Sequence, residues 1–458
     1  MPLAKLRPDL IATLALGLPL IGSHVARMAI GVADTVMVGW YGVEALAALV
    51  LASAMFLLLF LLGSGYALGG SGLIAGARGR ADDVEVRRVT RMALWLSVLH
   101  AVAMAPLLWW SGPILIALGQ VPAVAMLAQD YLRIMIPAMP LVLAGMVLNS
   151  YLSALGRPSP VMWITLAGLP LNVALNWAFI FGEWGAPELG VAGAAVASLT
   201  VNAAQLAGLL AYALWLPEAR RYTLMRRFWR PDWPAFFRLF RLGLPIGAAV
   251  VAEVALFAGT NIMMGWIGTT ELAAHGIALQ IASLAFMVHL GLSNAATIRA
   301  GEAFGRGDFD ALRRVGAAVL VLSLAFALVV VGIFLTWPED LVRLYLDRAN
   351  PASGQILLVA VGLMFWAAVF QIADAAQVIL QGLLRGVQDT RVPLVLAIIG
   401  YWGFGLTGSY LFAFTLGLGP AGLWMGLLTG LSVSALLLWL RFHRGLGRGG
   451  WTVPQRAG

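Results

Sequence analysis

The sequence predicts an all-α integral membrane protein with twelve transmembrane helices in two pseudo-symmetric six-helix bundles. Three observations predict it. The 458-residue chain is 61% hydrophobic and only 11% charged, with a mean hydropathy of +0.90, whereas a soluble domain carries about 25% charged residues. Its apolar residues gather into about twelve runs long enough to cross a bilayer. One half of the chain also repeats the other at a nearly constant shift.

The spans are expected at 10–39, 43–76, 89–110, 124–154, 159–181 and 189–216, then at 237–266, 271–300, 313–336, 352–384, 392–415 and 419–441. Several exceed the length needed to cross, so they tilt, extend past the bilayer or kink at Pro19, Pro137, Pro140 or Pro245. Lys5 and Arg7 precede the first run without a small-residue cleavage site, so that run is expected to remain as the first helix.

Charge fixes the orientation. Of the 29 basic residues, 25 fall at the termini and in alternate loops, from Lys5 and Arg7 through the 78–91, 157, 220–241, 299–314 and 385–391 groups to Arg456. The opposite loops hold Arg343 and Arg348, while Arg27 and Arg133 fall inside spans. The positive-inside rule then places both termini in the cytoplasm. It also assigns the net charge of +8 to anionic lipid headgroups rather than to nucleic acid.

The polar stretch at 217–236 divides the chain. An N-lobe of helices 1–6 is expected over 1–216 and a C-lobe of helices 7–12 over 237–444, followed by a disordered cytoplasmic tail at 445–458. A shift of 226 residues carries LGLP at 16–19 onto LGLP at 242–245, and MVGWYGVEALAA at 37–48 onto MMGWIGTTELAA at 263–274. Gly65 falls on Gly291 and Asp82 on Asp308. Later, LGVAGAAVASLT at 189–200 matches LGPAGLWMGLLT at 418–429 at a shift of 229. Six spans return the chain to its starting side, so the repeats are parallel, a symmetry common among transporters that rock two bundles. The polar residues do not repeat. Asp34 falls on Thr260, Arg27 on Glu253, and Asn172 and Asn176 on Tyr401 and Gly405.

Several chemistries are excluded. With no cysteine there is no disulfide framework, thiolate metal site or cysteine nucleophile. The five histidines form no metal-binding pair, and no Walker A sequence is present. An enzyme and a cofactor are therefore not expected.

What remains are polar groups in apolar runs. An ionised acid in hydrocarbon is costly, so Asp34 faces a wet cavity, finds a partner or holds a proton. Asn172 and Asn176 lie four apart on one helix face. They either hydrogen-bond an acid, offer carbonyl oxygens to Na⁺, or act as interhelical glue. Glu253 lies in mid-span. Asp374 belongs to a polar stripe with Gln371, Gln377 and Gln381 that does not face lipid. Two acids from different helices either form a hard-oxygen site for a cation such as Na⁺ or share one proton as a structural pair. Arg27, seven residues before Asp34, is either its distant counter-charge or paired elsewhere. Met28, Met263 and Met287, with Gln280 and Gln371, are weaker candidates for an adaptable substrate cavity. Gln280, His275 and His289 read as satisfied structural groups.

The pattern of Pro19, Asp34, Thr35, Gly39, Gly42 and Leu46 to Ala48 resembles the first-helix signature of the multidrug and toxin extrusion (MATE) family. ALGRPSP at 154–160, LNVALNWAFIFG with GVAGAAVAS, and LLRGVQDTRVP at 383–393 resemble its later motifs. Acids in both lobes resemble the NorM branch. The resemblance implies a V-shaped pair of bundles and a secondary active multidrug efflux transporter. Such a protein exchanges organic cations for H⁺ or Na⁺ by alternating access in the bacterial inner membrane, as a monomer in contact with membrane lipid. It implies an N-lobe coupling site at Asp34, Asn172, Asn176 and Ser198 and a C-lobe cation site at Glu253 and Asp374. Asn176 departs from relatives that carry an acid there, which leaves Asp34 as that lobe's clear acid. The alternative is a lipid-linked oligosaccharide flippase of related fold, which would need a cationic cavity for pyrophosphate.

Overall fold

The structure, a computed structural model, describes residues 3–217, 221–225, 228–347, 351–447 and 450–452. Among them there is no strand. The first half comprises α1 (Leu3–Tyr41), α2 (Val43–Gly79), α3 (Asp83–Trp109), the short α4 (Ser111–Ala117), α5 (Pro122–Met135), α6 (Ala138–Ala154), α7 (Pro158–Phe181) and α8 (Val191–Trp215). The second comprises α9 (Trp233–Ile267), α10 (Thr269–Gly305), α11 (Phe309–Thr336), the short α12 (Pro338–Arg343), α13 (Ser353–Gly386), α14 (Arg391–Thr415) and α15 (Gly419–Leu446).

Among the described residues, eleven helices are long and apolar enough to cross a membrane, and α5 with α6 makes a twelfth crossing bent by 51°. The bend falls beside Pro137, as expected of a residue that has no N–H to give the helix. Two helix starts repeat the same chemistry. The Asp82 carboxylate accepts from Glu85 N at 3.0 Å before α3, and Asp308 accepts from Ala311 N at 2.8 Å before α11. Each satisfies a backbone donor that the first turn leaves free.

The chain divides into two compact units, Gly22–Gly247 and Met1–Ile21 with Ala248–Gln455. The sequence placed the borders of the halves in the polar linker, but the divisions fall inside α1 and α9. They fall at equivalent places, since Ile21 and Gly247 are related by the 226-residue shift. The physical reason lies in two glycines. A Cβ on Gly65 of α2 would collide with the Gly243 carbonyl and the Gly247 amide of α9. A Cβ on Gly291 of α10, its repeat partner, would collide with the Ile21 backbone of α1. Each helix start therefore lies backbone to backbone on the second helix of the other half.

Ion pairs reinforce both contacts. Arg299 reaches Asp9 Oδ1 and Thr13 Oγ1, each at 2.5 Å, with Arg314 at 3.4 Å from Asp9. In the other unit, Arg238 pairs with Glu85 and Arg88 with Asp232.

Within Gly22–Gly247, α2 packs on α3, α5 and α6, and α8 packs on α5, α6 and α7. In the other unit, α13 is the central helix, packed on α10, α11 and α15. Buried residues of both units form apolar cores that include Met139 in the first and Trp424 in the second.

The linker is not a free connection. Arg221 donates to Asp83 at 2.5 and 2.7 Å, and Arg87 to Thr223 at 2.9 Å. Trp95 donates to the Phe228 carbonyl at 3.1 Å, and Arg91 to the Arg230 carbonyl at 2.9 Å. Its described residues thus lie along α3, and α9 begins at Trp233, within the stretch assigned to the linker.

The tail also departs from expectation. α15 continues to Leu446, and the Trp451 indole donates to Asp389 Oδ2 at 3.2 Å while packing against Phe442. A large amphipathic ring with both an apolar and an acidic partner does not stay in water. Residues 448–449 and 453–458, Arg448 and Arg456 among them, lie outside the described residues, as do Arg220, Arg226, Arg227 and Arg348.

Candidate functional site

Two buried acidic clusters form, one in each unit. In Gly22–Gly247, Asp34 projects from α1 toward α7 and α8. Asn172 and Asn176, one turn apart on α7, donate to Asp34 Oδ1 at 2.9 and 2.7 Å, and Ser198 of α8 donates to Oδ2 at 2.9 Å. Asn176 also donates to Asn172 Oδ1 at 3.2 Å. The four residues named from the sequence thus share one cluster, and both asparagines are fully buried.

Among the described residues, the groups that hydrogen-bond Asp34 are all neutral. Arg27, half-buried on α1, is not among them and acts instead on His24. Tyr131 of α5, which sequence reasoning missed, is buried near Asp34, Ser198 and Ser53 of α2. One acceptor is left over. The Asn176 Oδ1 atom is buried without a partner, and such a group is explained by a water or an ion. The cluster can therefore hold one exchangeable positive charge against a carboxylate whose partners among the described residues are all neutral.

In the other unit, Glu253 of α9 and Asp374 of α13 are both buried and lie within electrostatic reach of each other. The Tyr401 hydroxyl of α14 donates to Glu253 Oε2 at 3.3 Å. That hydroxyl accepts from Gln381 Nε2 at 2.8 Å and from Gln377 Nε2. The π-helical stretch Ile399–Leu406 positions the ring. Widened turns of this kind are frequent at functional sites. Gly400 lets α14 lie directly on Ser434 and Gly430 of α15, where a Cβ would collide, which fixes the direction of the neighbouring Tyr401. The Gln377 and Gln371 side-chain oxygens are buried and without a partner, although Gln371 donates to the Ala282 carbonyl at 3.3 Å.

The two clusters reuse one helix pair differently. Tyr401 is the repeat equivalent of Asn172, but Glu253 precedes Thr260, the equivalent of Asp34, by seven residues. Seven residues are two helical turns, so the acid stays on the same face, about 10 Å along the axis. The longer tyrosine side chain helps to span the difference.

The remaining candidates do not join either cluster. Met263 is 5% exposed within the apolar core of its unit, Gln280 is exposed, and Met28 and Met287 are half-buried. His289 Nδ1 lies 2.8 Å from Ser323 Oγ. His275 packs edge-on against Trp424, but both of its ring nitrogens lack hydrogen-bond partners, so it is less satisfied than expected. No group of three or more potential metal ligands occurs among the described residues. An apolar pocket of about 590 Å³ beside Val173 and Trp177 includes neither acidic cluster.

Comparison with known proteins agrees with this architecture. The MatE family matches residues 19–178 and 245–411, so the two matches begin at the equivalent Pro19 and Pro245. The "Probable multidrug resistance protein NorM" of Rhizobium meliloti is 46% identical over 437 residues, covering 95% of this chain and 94% of the relative. The protein of the same name from Pseudomonas putida is 38% identical, covering 96% of both chains. Among solved structures, a eukaryotic MATE transporter aligns with a TM-score of 0.82 at 20% identity over 95% of both chains. A MOP superfamily transporter from Pyrococcus furiosus, described as having a binding pocket of reverse polarity, aligns with a TM-score of 0.86 at 22% identity over 96% of both.

Proposed function

The chain belongs to the MatE family, and on that premise we propose that it exports small organic cations and drugs by antiport against H⁺ or Na⁺. It works by alternating access, as a monomeric multi-pass protein of the bacterial plasma membrane with both termini in the cytoplasm. The names of its relatives, multidrug resistance proteins, support efflux as the activity. The distribution of basic residues supports the orientation.

One observation carries the coupling. Asp34 is buried in a span and held by three neutral donors, with no cation paired to it among the described residues. A buried carboxylate with neutral partners is costly to leave bare, so it suits one exchangeable positive charge, a proton or a monovalent cation. When it is loaded, the negative charge that attracts an organic cation is gone. Drug and coupling ion therefore compete, and exchange follows if their affinities differ between the two access states. Glu253 and Asp374 form the second cation site, where orphaned amide oxygens add hard ligands suited to Na⁺.

Ethidium efflux from proteoliposomes under an imposed proton or sodium gradient tests the proposal. Efflux driven by one gradient and abolished by Asp34→Asn, or by Glu253→Gln with Asp374→Asn, assigns the ion to a unit. Active protein that responds to neither gradient refutes antiport and makes lipid-linked substrates the next to test.

A further inference from the structure

Arg385 stands at the end of α13 beside a basic loop, and by sequence it counts as one more cytoplasmic charge. In the structure it is 6% exposed. Its guanidinium turns inward, Nε donating to the Gln381 carbonyl and Nη2 to Ser293 Oγ, each at 3.2 Å. Both acceptors are neutral. Gln381 in turn donates through its side chain to Tyr401, and Tyr401 donates to Glu253. A buried cation is thus joined to Glu253 of the acid pair through two intervening residues, by the main chain and then the side chain of Gln381 and by Tyr401, and Arg385 and Glu253 lie within electrostatic reach.

We propose that Arg385 is the fixed counter-charge of the Glu253–Asp374 site and limits its uptake to one coupling cation. The assignment rests on the antiport reading above. Two buried carboxylates without compensation are strongly unfavourable. Arginine supplies a charge that does not titrate in proteins, so it is present in both the loaded and the empty state. Its placement matters as much as its charge. A guanidinium paired directly with a carboxylate occupies the oxygens in a bidentate grip. Held one relay away, Arg385 offsets one negative charge and leaves the carboxylate oxygens open to an exchangeable ion.

Among the described residues, the charged and titratable groups that act on the pair are Glu253 on α9, Asp374 and Arg385 on α13 and Tyr401 on α14, while α10 contributes the neutral Ser293 to Arg385. With both acids ionised, their balance is one uncompensated negative charge. The Asp34 cluster reaches the same balance with a single carboxylate and neutral donors. Both units are then matched to one monovalent cation, although they are built differently. The competing role for Arg385 is structural, as a residue that satisfies the last carbonyls of a helix.

The test uses the full chain in nanodiscs in an Asp34→Asn background, so that only the second site contributes. Uptake of H⁺ and of radioactive Na⁺ per chain is measured at equilibrium, as the difference from a further variant carrying Glu253→Gln and Asp374→Asn. Thermal midpoints are measured in parallel. Arg385→Gln is expected to raise uptake from about one to about two charges per chain, because two carboxylates are left to be neutralised. It is also expected to lower the midpoint, and adding Asp374→Asn is expected to return both values toward those of the parent. The midpoint comparison keeps the test decisive if Arg385→Gln folds poorly. Unchanged uptake in Arg385→Gln, or a double variant less stable than the single one, overturns the counter-charge role. If removing both acids changes neither uptake nor gradient-driven efflux, the cation-site reading itself fails and the assignment of Arg385 falls with it.

Discussion

Tyr401 stands to Glu253 as Asn172 stands to Asp34. Each donates to a buried acid, and the two donors occupy equivalent places in the repeat, on α14 and α7. Tyr401→Phe keeps the ring and its packing but removes a hydroxyl that makes three hydrogen bonds. Glu253 then loses its donor, and Gln377 and Gln381 lose their acceptor. Leaving such buried groups unpaired costs about 1–3 kcal/mol each before relaxation. A clear drop in thermal midpoint is expected, with a shift in the cation concentration that half-saturates efflux. An unchanged cation dependence would separate Tyr401 from the site.

Among the described residues, Ser198 supplies the one hydrogen bond to the second oxygen of Asp34. Ser198→Ala removes it without filling the space, at a cost of about 1–3 kcal/mol for a bond to a charged acceptor. Efflux is expected to persist with a changed pH or sodium dependence, whereas Asp34→Asn is expected to reduce gradient-driven ethidium efflux to that of empty liposomes. If both variants behave alike, Ser198 does more than tune the acid.

The linker carries its own acid sensitivity. The hydrogen-bonded Arg88 guanidinium holds the Asp232 carboxyl below the usual carboxylate range. A carboxylate depressed in the folded state stabilises docking above its unfolded pKa and loses that contribution as pH falls through the folded value. Docking of 228–235 on α3 is therefore expected to hold from neutral pH down to about pH 4 and to weaken below. Amide exchange of this segment, corrected for the intrinsic pH effect, checks it. Asp232→Asn should exchange at neutral pH as the parent does in acid.

Gly65 and Gly291 admit no side chain. Leucine at Gly65 meets only backbone atoms, and at Gly291 it meets the Ile21 backbone as well as its side chain, so relaxation is limited and the cost is about 4 kcal/mol or more. Neither variant is expected to be recovered as monodisperse protein by size-exclusion chromatography. Leucine at Gly276 or Gly332, where a Cβ meets nothing within 4 Å, should be tolerated.

Much of this was legible in the residues. Asp34, Asn172 and Asn176 stood out because a polar group in an apolar run is conspicuous, whereas Ser198 entered only through the family resemblance, and the structure gathers all four. Tyr401 was less visible, since a tyrosine in a membrane span is commonly an interfacial anchor. Only its equivalence to Asn172 pointed to it. Arg385 was hidden by its neighbours, because counting charges by loop cannot tell a buried guanidinium from one in water. The division inside α1 and α9 was beyond hydropathy altogether. Nothing in the apolar runs distinguishes a helix that keeps to its own half from one that begins against the other, although the matched glycines at 65 and 291 carried the signal.

That exchange of helix starts bears on how the protein is made. Asp9 and Arg299 meet across 290 residues of sequence, and the backbone contact between Gly65 and α9 also waits for the second half. A ribosome that has released the first six helices has therefore delivered neither unit complete. The start of α1 must wait in the membrane without its native neighbours until α10 emerges, and Gly65 faces lipid or a chaperone until α9 arrives. Such long-range closures slow folding and expose intermediates. Either half expressed alone should be short-lived, and co-expression of 1–216 with 217–458, cut in the linker, should recover more protein than the sum of the separate pieces.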